Sequence, residues 1–179
     1  RAPSYATMIV NEAIADAKDS RTPLYIAILD IQKAFGVIPH QNLLHRLFHD
    51  GLSPPWWLLK ESSYDGMKTK VVWEGRKDAR YDVLQGIVQG GIGSTGDFKV
   101  AIHQAIEYIA NCGYGLHIGT TPISILACAD DVVLLATTEL EMQHLLRLFN
   151  MFTNKEWLKI HPTKTSIILN APRGEYEYY

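Results

Sequence analysis

The chain reads as an α+β protein. Two observations carry that class. Segments with helical spacing of apolar residues alternate with short apolar runs of strand length, and several of those runs come in pairs joined by turn residues, as hairpins do. The 179 residues suffice for a domain with a real core, and 47% hydrophobic and 20% charged residues describe an ordinary globular composition. That balance excludes a disordered or fibrous chain. The net charge of −2 supplies no overall basic footprint for nucleic acid. No apolar run approaches the ~18–20 residues of a membrane span, so no membrane partner is expected. Arg1-Ala2-Pro3-Ser4 is followed by no signal-type apolar stretch. With no initiating Met, the chain is expected to be part of something longer. Cys112 and Cys128 lie in apolar surroundings without metal-type spacing and read as buried free thiols.

Taken in order, residues 6–18 are rich in Ala and Ile and read as a helix that Pro23 closes off. Residues 24–29 form a near-continuous apolar run, as a buried central strand does, stopping at Asp30. Leu43, Leu44, Leu47 and Phe48 recur at helical spacing, with Gly51 as the stop. Pro54 and Pro55 open a further helix carrying Trp56 and Trp57, which read as core or interface packing, with base stacking as the alternative for an exposed ring. Residues 69–73 and 79–83 flank Glu74-Gly75-Arg76-Lys77 as a hairpin. A glycine-dense loop leads into a helix over residues 97–111. Residues 116–118 and 123–136 read as strands, the latter turning at Asp130-Asp131. Thr138 and Glu141 match a capping box for a helix reaching about Trp157. Residues 159–160 and 166–169 are strands around a His161-Pro162-Thr163 turn.

The most informative feature is Cys128-Ala129-Asp130-Asp131, two adjacent carboxylates between apolar runs. Burying unpaired carboxylates costs several kcal/mol or more, so a cation is expected beside them. Asp30 also ends an apolar run. If the two strands are neighbours, Asp30, Asp130 and Asp131 would converge as oxygen donors suited to Mg²⁺. The alternative is that Asp30 caps the next segment and the pair makes a polar turn. The loop Gln85-Gly86-Ile87-Val88-Gln89-Gly90-Gly91-Ile92-Gly93-Ser94 fits neither a P-loop nor a Rossmann spacing. Its glycines would let backbone approach a ligand closely, and a flexible connector is the plainer reading. The seven histidines show no clustered ligand pattern. His45 and His49 are spaced i, i+4 but have no evident third ligand.

Four stretches in order carry a family likeness: Leu29-Asp30-Ile31-Gln32-Lys33-Ala34-Phe35, Gln85-Gly86-Ile87-Val88-Gln89-Gly90-Gly91, Ala129-Asp130-Asp131, and Leu158-Lys159-Ile160-His161-Pro162-Thr163-Lys164-Thr165. They resemble motifs A to D of reverse transcriptases, in the non-LTR retrotransposon and group II intron branch, and span nearly the whole chain. The resemblance implies a right-hand polymerase palm with part of the fingers, an antiparallel sheet packed on helices. It also implies that residues 1–179 form one partial domain lacking the early fingers and the thumb. Asp30, Asp130 and Asp131 match the catalytic metal ligands for Mg²⁺, Asp130 being the firmer ligand of the pair and Asp131 assisting, with Mn²⁺ as a substitute. Phe35 matches the ring that crowds a ribose 2′-hydroxyl, Gln89 and Gly90 the nucleotide-binding pair, Ser94 a motif B serine, and Lys164 the motif D lysine. The implied partners are an RNA template, a DNA primer, deoxynucleoside triphosphates and the flanking domains of a parent polypeptide.

Three positions depart from the branch. Gly36 stands where an Asp usually follows the Phe, Thr95 where a proline follows the motif B serine, and Cys128 where an aromatic precedes Ala-Asp-Asp. These motivate a second expectation, a palm that no longer polymerises and serves as a binding module. An RNA-templated RNA polymerase is a third, which Phe35 argues against. The acidic, aromatic tail from Arg173 matches nothing in the family.

Overall fold

The computed structural model describes residues 3–88, 91, 93–128 and 130–170. In chain order the elements are α1 (Pro3–Ser20), β1 (Leu24–Gln32), a 3₁₀ turn (Ala34–Gly36), α2 (His40–His49), α3 (Pro54–Tyr64), β2 (Lys68–Thr69), β3 (Val72–Trp73), β4 (Arg76–Lys77), β5 (Tyr81–Asp82), α4 (Ser94–Ala110), β6 (Leu116–Ile118), β7 (Thr121–Ile123), β8 (Ile125–Cys128), β9 (Asp131–Ala136), α5 (Glu139–Lys155), β10 (Lys159–Ile160) and β11 (Ser166–Asn170). They group into two compact units, one of residues 1–32 and 102–179, the other of residues 33–101. Among the described residues no helix is long and apolar enough to cross a membrane.

The first unit is built on a five-stranded antiparallel sheet with β1 at its centre. β1 pairs along one edge with β9, which pairs in turn with β8. Its other edge is shared by β11, opposite residues 24–28, and β10, opposite Ile31 and Gln32. Side chains alternate between faces. One face holds Ala27, Leu29, Val132 and Leu134, all without exposed surface. Leu145 and Phe149 of α5 are equally buried and Met142 nearly so, and α5 packs on β9, β1 and β10. Each such Leu, Val or Phe contributes about 1.5–3 kcal/mol by leaving water. On the other face, Leu24, Ile26 and Leu135 pack with Ala13 and Ala17 of α1. This second layer stops there: Ile28 is 42% exposed. One half of that face is thus core and the other half is open.

The second unit contains α2 and α3, joined where the Trp57 indole N–H donates to the Leu44 carbonyl at 2.8 Å. Ser53 and Pro54 start α3 as the proline pair implies. Beyond α3 the chain forms a two-stranded ribbon, β2 with β5 and β3 with β4.

Several expectations need correction. β1 does not stop at Asp30, because Ile31 and Gln32 find partners in β10. The ribbon's turn is Glu74-Gly75 alone, both at positive φ (47° and 77°), which matches the right-handed strand twist; Arg76 and Lys77 are strand residues. α4 starts at Ser94 rather than Asp97. Only half of the capping box forms: the Thr138 hydroxyl accepts from Glu141 N, while the Glu141 carboxylate accepts from the N–H and hydroxyl of Thr137. Both cysteines are half-buried, not buried. Of the tryptophan pair, Trp57 takes the core reading, while Trp56, 63% exposed, leaves only the interface or stacking alternative. The tail from Arg173, Gln89 and Gly90 lie outside the described residues.

Candidate active site

Asp30 and Asp131 are directly opposed partners in the β1–β9 ladder. Residues so placed point to the same face with Cβ atoms about 4.5–5.5 Å apart. That face is the one α1 covers only at its far end, so the Asp30 side chain is 39% exposed and Asp131 is exposed. Asp130 occupies the turn between β8 and β9 and is exposed as well. The cost of burial that made the acid pair conspicuous in the sequence therefore does not arise. The difficulty is of another kind: like charges set directly opposite each other repel. At about 5 Å the repulsion is roughly 1 kcal/mol in water and roughly 3 kcal/mol at an effective dielectric of about 20.

One cation is already there. The Lys164 ammonium lies 3.6 Å from Oδ2 of Asp30. The edge of β1 brings it there. β10 pairs with β1 as far as Ile31, β11 resumes at Ile28, and residues 161–165 loop out between them. The His161 N–H donates to the Asp30 carbonyl at 2.8 Å, which fixes the loop beside the acid. Because Lys164 is 63% exposed, the pair offsets the repulsion only weakly, by about 1 kcal/mol or less. Cys128 lies opposite Asp131 on its β8 side, so Cys128, Asp131 and Asp30 form a row across three strands. Among the described residues, no three His, Cys, Asp or Glu side chains gather in a metal-holding cluster. Asp30 and Asp131 nevertheless offer the one or two carboxylates, with room for phosphate oxygens, that Mg²⁺ takes in such sites.

The remaining motif residues belong to the second unit. Phe35 sits in the 3₁₀ turn, half-buried, its ring stacked on Phe98 with centroids 5.0 Å apart. The segment preceding the glycine-rich loop is tied to this turn. Ile87 N–H donates to the Phe35 carbonyl and Gly86 N–H to the Ile38 carbonyl. Gly86, at φ 95°, lies so close to Gly36 that a Cβ would meet the Gly36 oxygen at 3.1 Å. Ser94 is buried and its hydroxyl donates to the Val88 carbonyl at 2.6 Å, which also accepts from Gly91 N–H. It therefore closes the loop on itself.

Sequence reasoning missed two supports of this unit. His40, one of the histidines without a ligand pattern, is buried; its Nε2–H donates to the Gly86 carbonyl at 2.8 Å and its ring packs on Tyr64. Asp97, in the first turn of α4, is buried, with Oδ2 accepting from Lys60 Nζ at 2.6 Å and the Tyr64 hydroxyl at 3.1 Å. Burial, then the Asp97 charge, then the hydrogen bond to it push the Tyr64 phenol well above its usual range. Local sequence carries no signal for this network beyond an acid near a helix start.

The profile of the family described as reverse transcriptase (RNA-dependent DNA polymerase) matches residues 2–178, and the chain belongs to that family. It is 31% identical over 161 residues, 90% of this chain, to the Pol polyprotein of a type-1 R2 retrotransposable element of Bradysia coprophila. To the corresponding protein of Nasonia vitripennis it is 28% identical over 94% of the chain. It spans only 18% and 16% of those two relatives. Among solved structures, the fold matches apo telomerase of Candida tropicalis, truncated from its C-terminal domain, with a TM-score of 0.67 at 13% identity. The match covers 98% of this chain and 36% of that one. A second telomerase structure from the same organism, in complex with a fragment of telomeric RNA, gives 0.67 at 11% identity, over 95% and 29%. The fold is thus a polymerase palm with part of the fingers.

Proposed function

We propose that the chain is the catalytic core of a retrotransposon reverse transcriptase, joining deoxynucleotides to a DNA primer on an RNA template by two-metal nucleotidyl transfer. The observation that carries this reading is the register that sets Asp30 against Asp131 on the open half of the sheet. Asp30 and Asp131, with Asp130 beside them, would hold Mg²⁺, or Mn²⁺ in its place, which when bound supplies charge neutralisation for the attacking and leaving oxygens. Asp30 and Asp131 orient the reacting phosphate by fixing where positive charge can sit. Lys164, 3.6 Å from Asp30, stabilises charge on the departing pyrophosphate. Phe35, braced by Phe98 and by the Ile87 amide, excludes a 2′-hydroxyl. Gln89 and Gly90 shape the base-pair site. Residues 1–179 act as one partial domain within a polyprotein whose flanking domains grip template and primer, so this chain alone extends a primer poorly.

A second reading, a palm that has lost synthesis and binds nucleic acid or protein, is favoured by Gly36, Thr95 and Cys128. Primer extension by the parent polypeptide on an RNA template, with Mg²⁺ or Mn²⁺, separates the two. The first reading expects extension, reduced at least about 100-fold by Asp30→Asn or Asp131→Asn. It also expects relaxed rejection of ribonucleotides in Phe35→Ala. A folded parent inactive with both ions would leave only the second reading.

A further inference from the structure

Residues 68–82 form the ribbon of β2, β3, β4 and β5, and every one of them is exposed. A two-stranded ribbon without a packed face is marginal in water. This one nevertheless presents Val71, Val72, Tyr81 and, at 74% exposure, Trp73. Its charge runs against that of the whole chain. Residues 68–82 hold five Lys or Arg and three acids, a surplus of two positive charges in a protein of net −2. Lys68 is paired with Asp82 at 3.4 Å. Among the described residues, Lys70, Arg76, Lys77 and Arg80 have no ion-pair partner. The register places Trp73 opposite Arg76, side by side on one face, and Val72 opposite Lys77 on the other.

We propose that this ribbon is a docking surface for single-stranded RNA, with Trp73 stacking an unpaired base while Lys70, Arg76, Lys77 and Arg80 contact the phosphates. An exposed indole flanked by unpaired cations fits the combination by which single strands are held: an aromatic platform for a base and positive charge along the backbone. A purely acidic protein partner would use the cations but leave the indole without a planar mate. A duplex would use the phosphate contacts but offer no free base. The choice of RNA rests on the templating role proposed above; the ribbon's charge and aromatic content do not.

The test is fluorescence anisotropy of the full chain with a mixed-sequence 20-mer of single-stranded RNA, across a salt series and without metal or nucleotide. Primer extension by the parent reads the polymerase proposal separately, so either can fail alone. Trp73→Ala should weaken binding on the order of tenfold, and Trp73→Phe should restore most of it. The quadruple variant Lys70→Gln, Arg76→Gln, Lys77→Gln, Arg80→Gln should flatten the log–log salt slope by about three, at roughly 0.7 per phosphate contact. All the positions are exposed, and unchanged circular dichroism confirms folding. Parent-like affinity of Trp73→Ala, an unchanged slope in the quadruple variant, or equal competition by polyglutamate would overturn the proposal. Tighter binding of a DNA 20-mer of the same sequence would overturn the assignment to RNA.

Discussion

Gly36 and Gly86 touch, yet only one of them needs to be glycine. Gly86 has φ 95°, and an added Cβ would lie 3.1 Å from the oxygen and 3.4 Å from two carbons of Gly36, all backbone atoms that cannot rotate away. An L residue at such φ costs about 1–2 kcal/mol by itself. Relieving the contact would stretch the bonds from Gly86 N–H to Ile38 and from His40 to the Gly86 carbonyl, both 2.8 Å and each worth about 1 kcal/mol net. Gly86→Ala should therefore destabilise by about 2–4 kcal/mol. At Gly36 an added Cβ meets only Lys33 Cβ at 4.0 Å, an ordinary contact, and φ lies outside the left-handed range. Gly36→Ala should thus be neutral, or stabilising by about 0.5 kcal/mol through the unfolded chain. Urea unfolding of the two variants decides it. With m near 2 kcal/mol/M, the Gly86→Ala midpoint should fall by about 1–2 M while that of Gly36→Ala stays put. Coincident midpoints would refute the account of how the glycine-rich loop is anchored. The same space at Gly36 would admit the aspartate that the family resemblance implies there, so its absence is not enforced by packing.

Lys60→Met should cost about 2–3 kcal/mol in the same assay. It strands the buried Asp97 carboxylate, though Lys60 is 27% exposed and the full penalty of a buried pair is softened; adding Asp97→Asn should recover most of the loss, and a cost below about 0.5 kcal/mol for the single variant would contradict the network. Tyr64 has a raised folded-state pKa, so its contribution is complete below its unfolded value near 10 and is lost as pH climbs from there towards the folded value. Stability should fall above about pH 10 by up to roughly 1.4 kcal/mol per pH unit, and Tyr64→Phe should remove that slope in pH-dependent unfolding. Glu74, at φ 47° in the ribbon turn, carries strain that asparagine tolerates better. Glu74→Asn should increase amide protection of residues 72–77 in hydrogen exchange; unchanged protection would mean that the turn is not the ribbon's weak point.

Much of this protein is written locally. The apolar run of β1, the Leu43, Leu44 and Leu47 spacing of α2, Pro54 at the start of α3 and Thr138 before α5 each reflect short-range physics: burial period, fixed φ, an unsatisfied helix N–H. The order of the four motifs was also legible, and with it the family. What the chain order does not contain is pairing. Asp131, not Asp130, faces Asp30, because the turn between β8 and β9 falls one residue earlier than the apolar pattern suggested, and a one-residue shift exchanges the two faces of a strand. The exposure of Asp30 and Asp131 likewise depended on how far α1 reaches across the sheet, and the approach of Lys164 on where the edge of β1 passes from β10 to β11. Local sequence determined the elements and their motifs through short-range sterics and hydrophobic period. Only the tertiary structure decided which residues meet, because register and coverage are set by burial shared between segments that the chain keeps far apart.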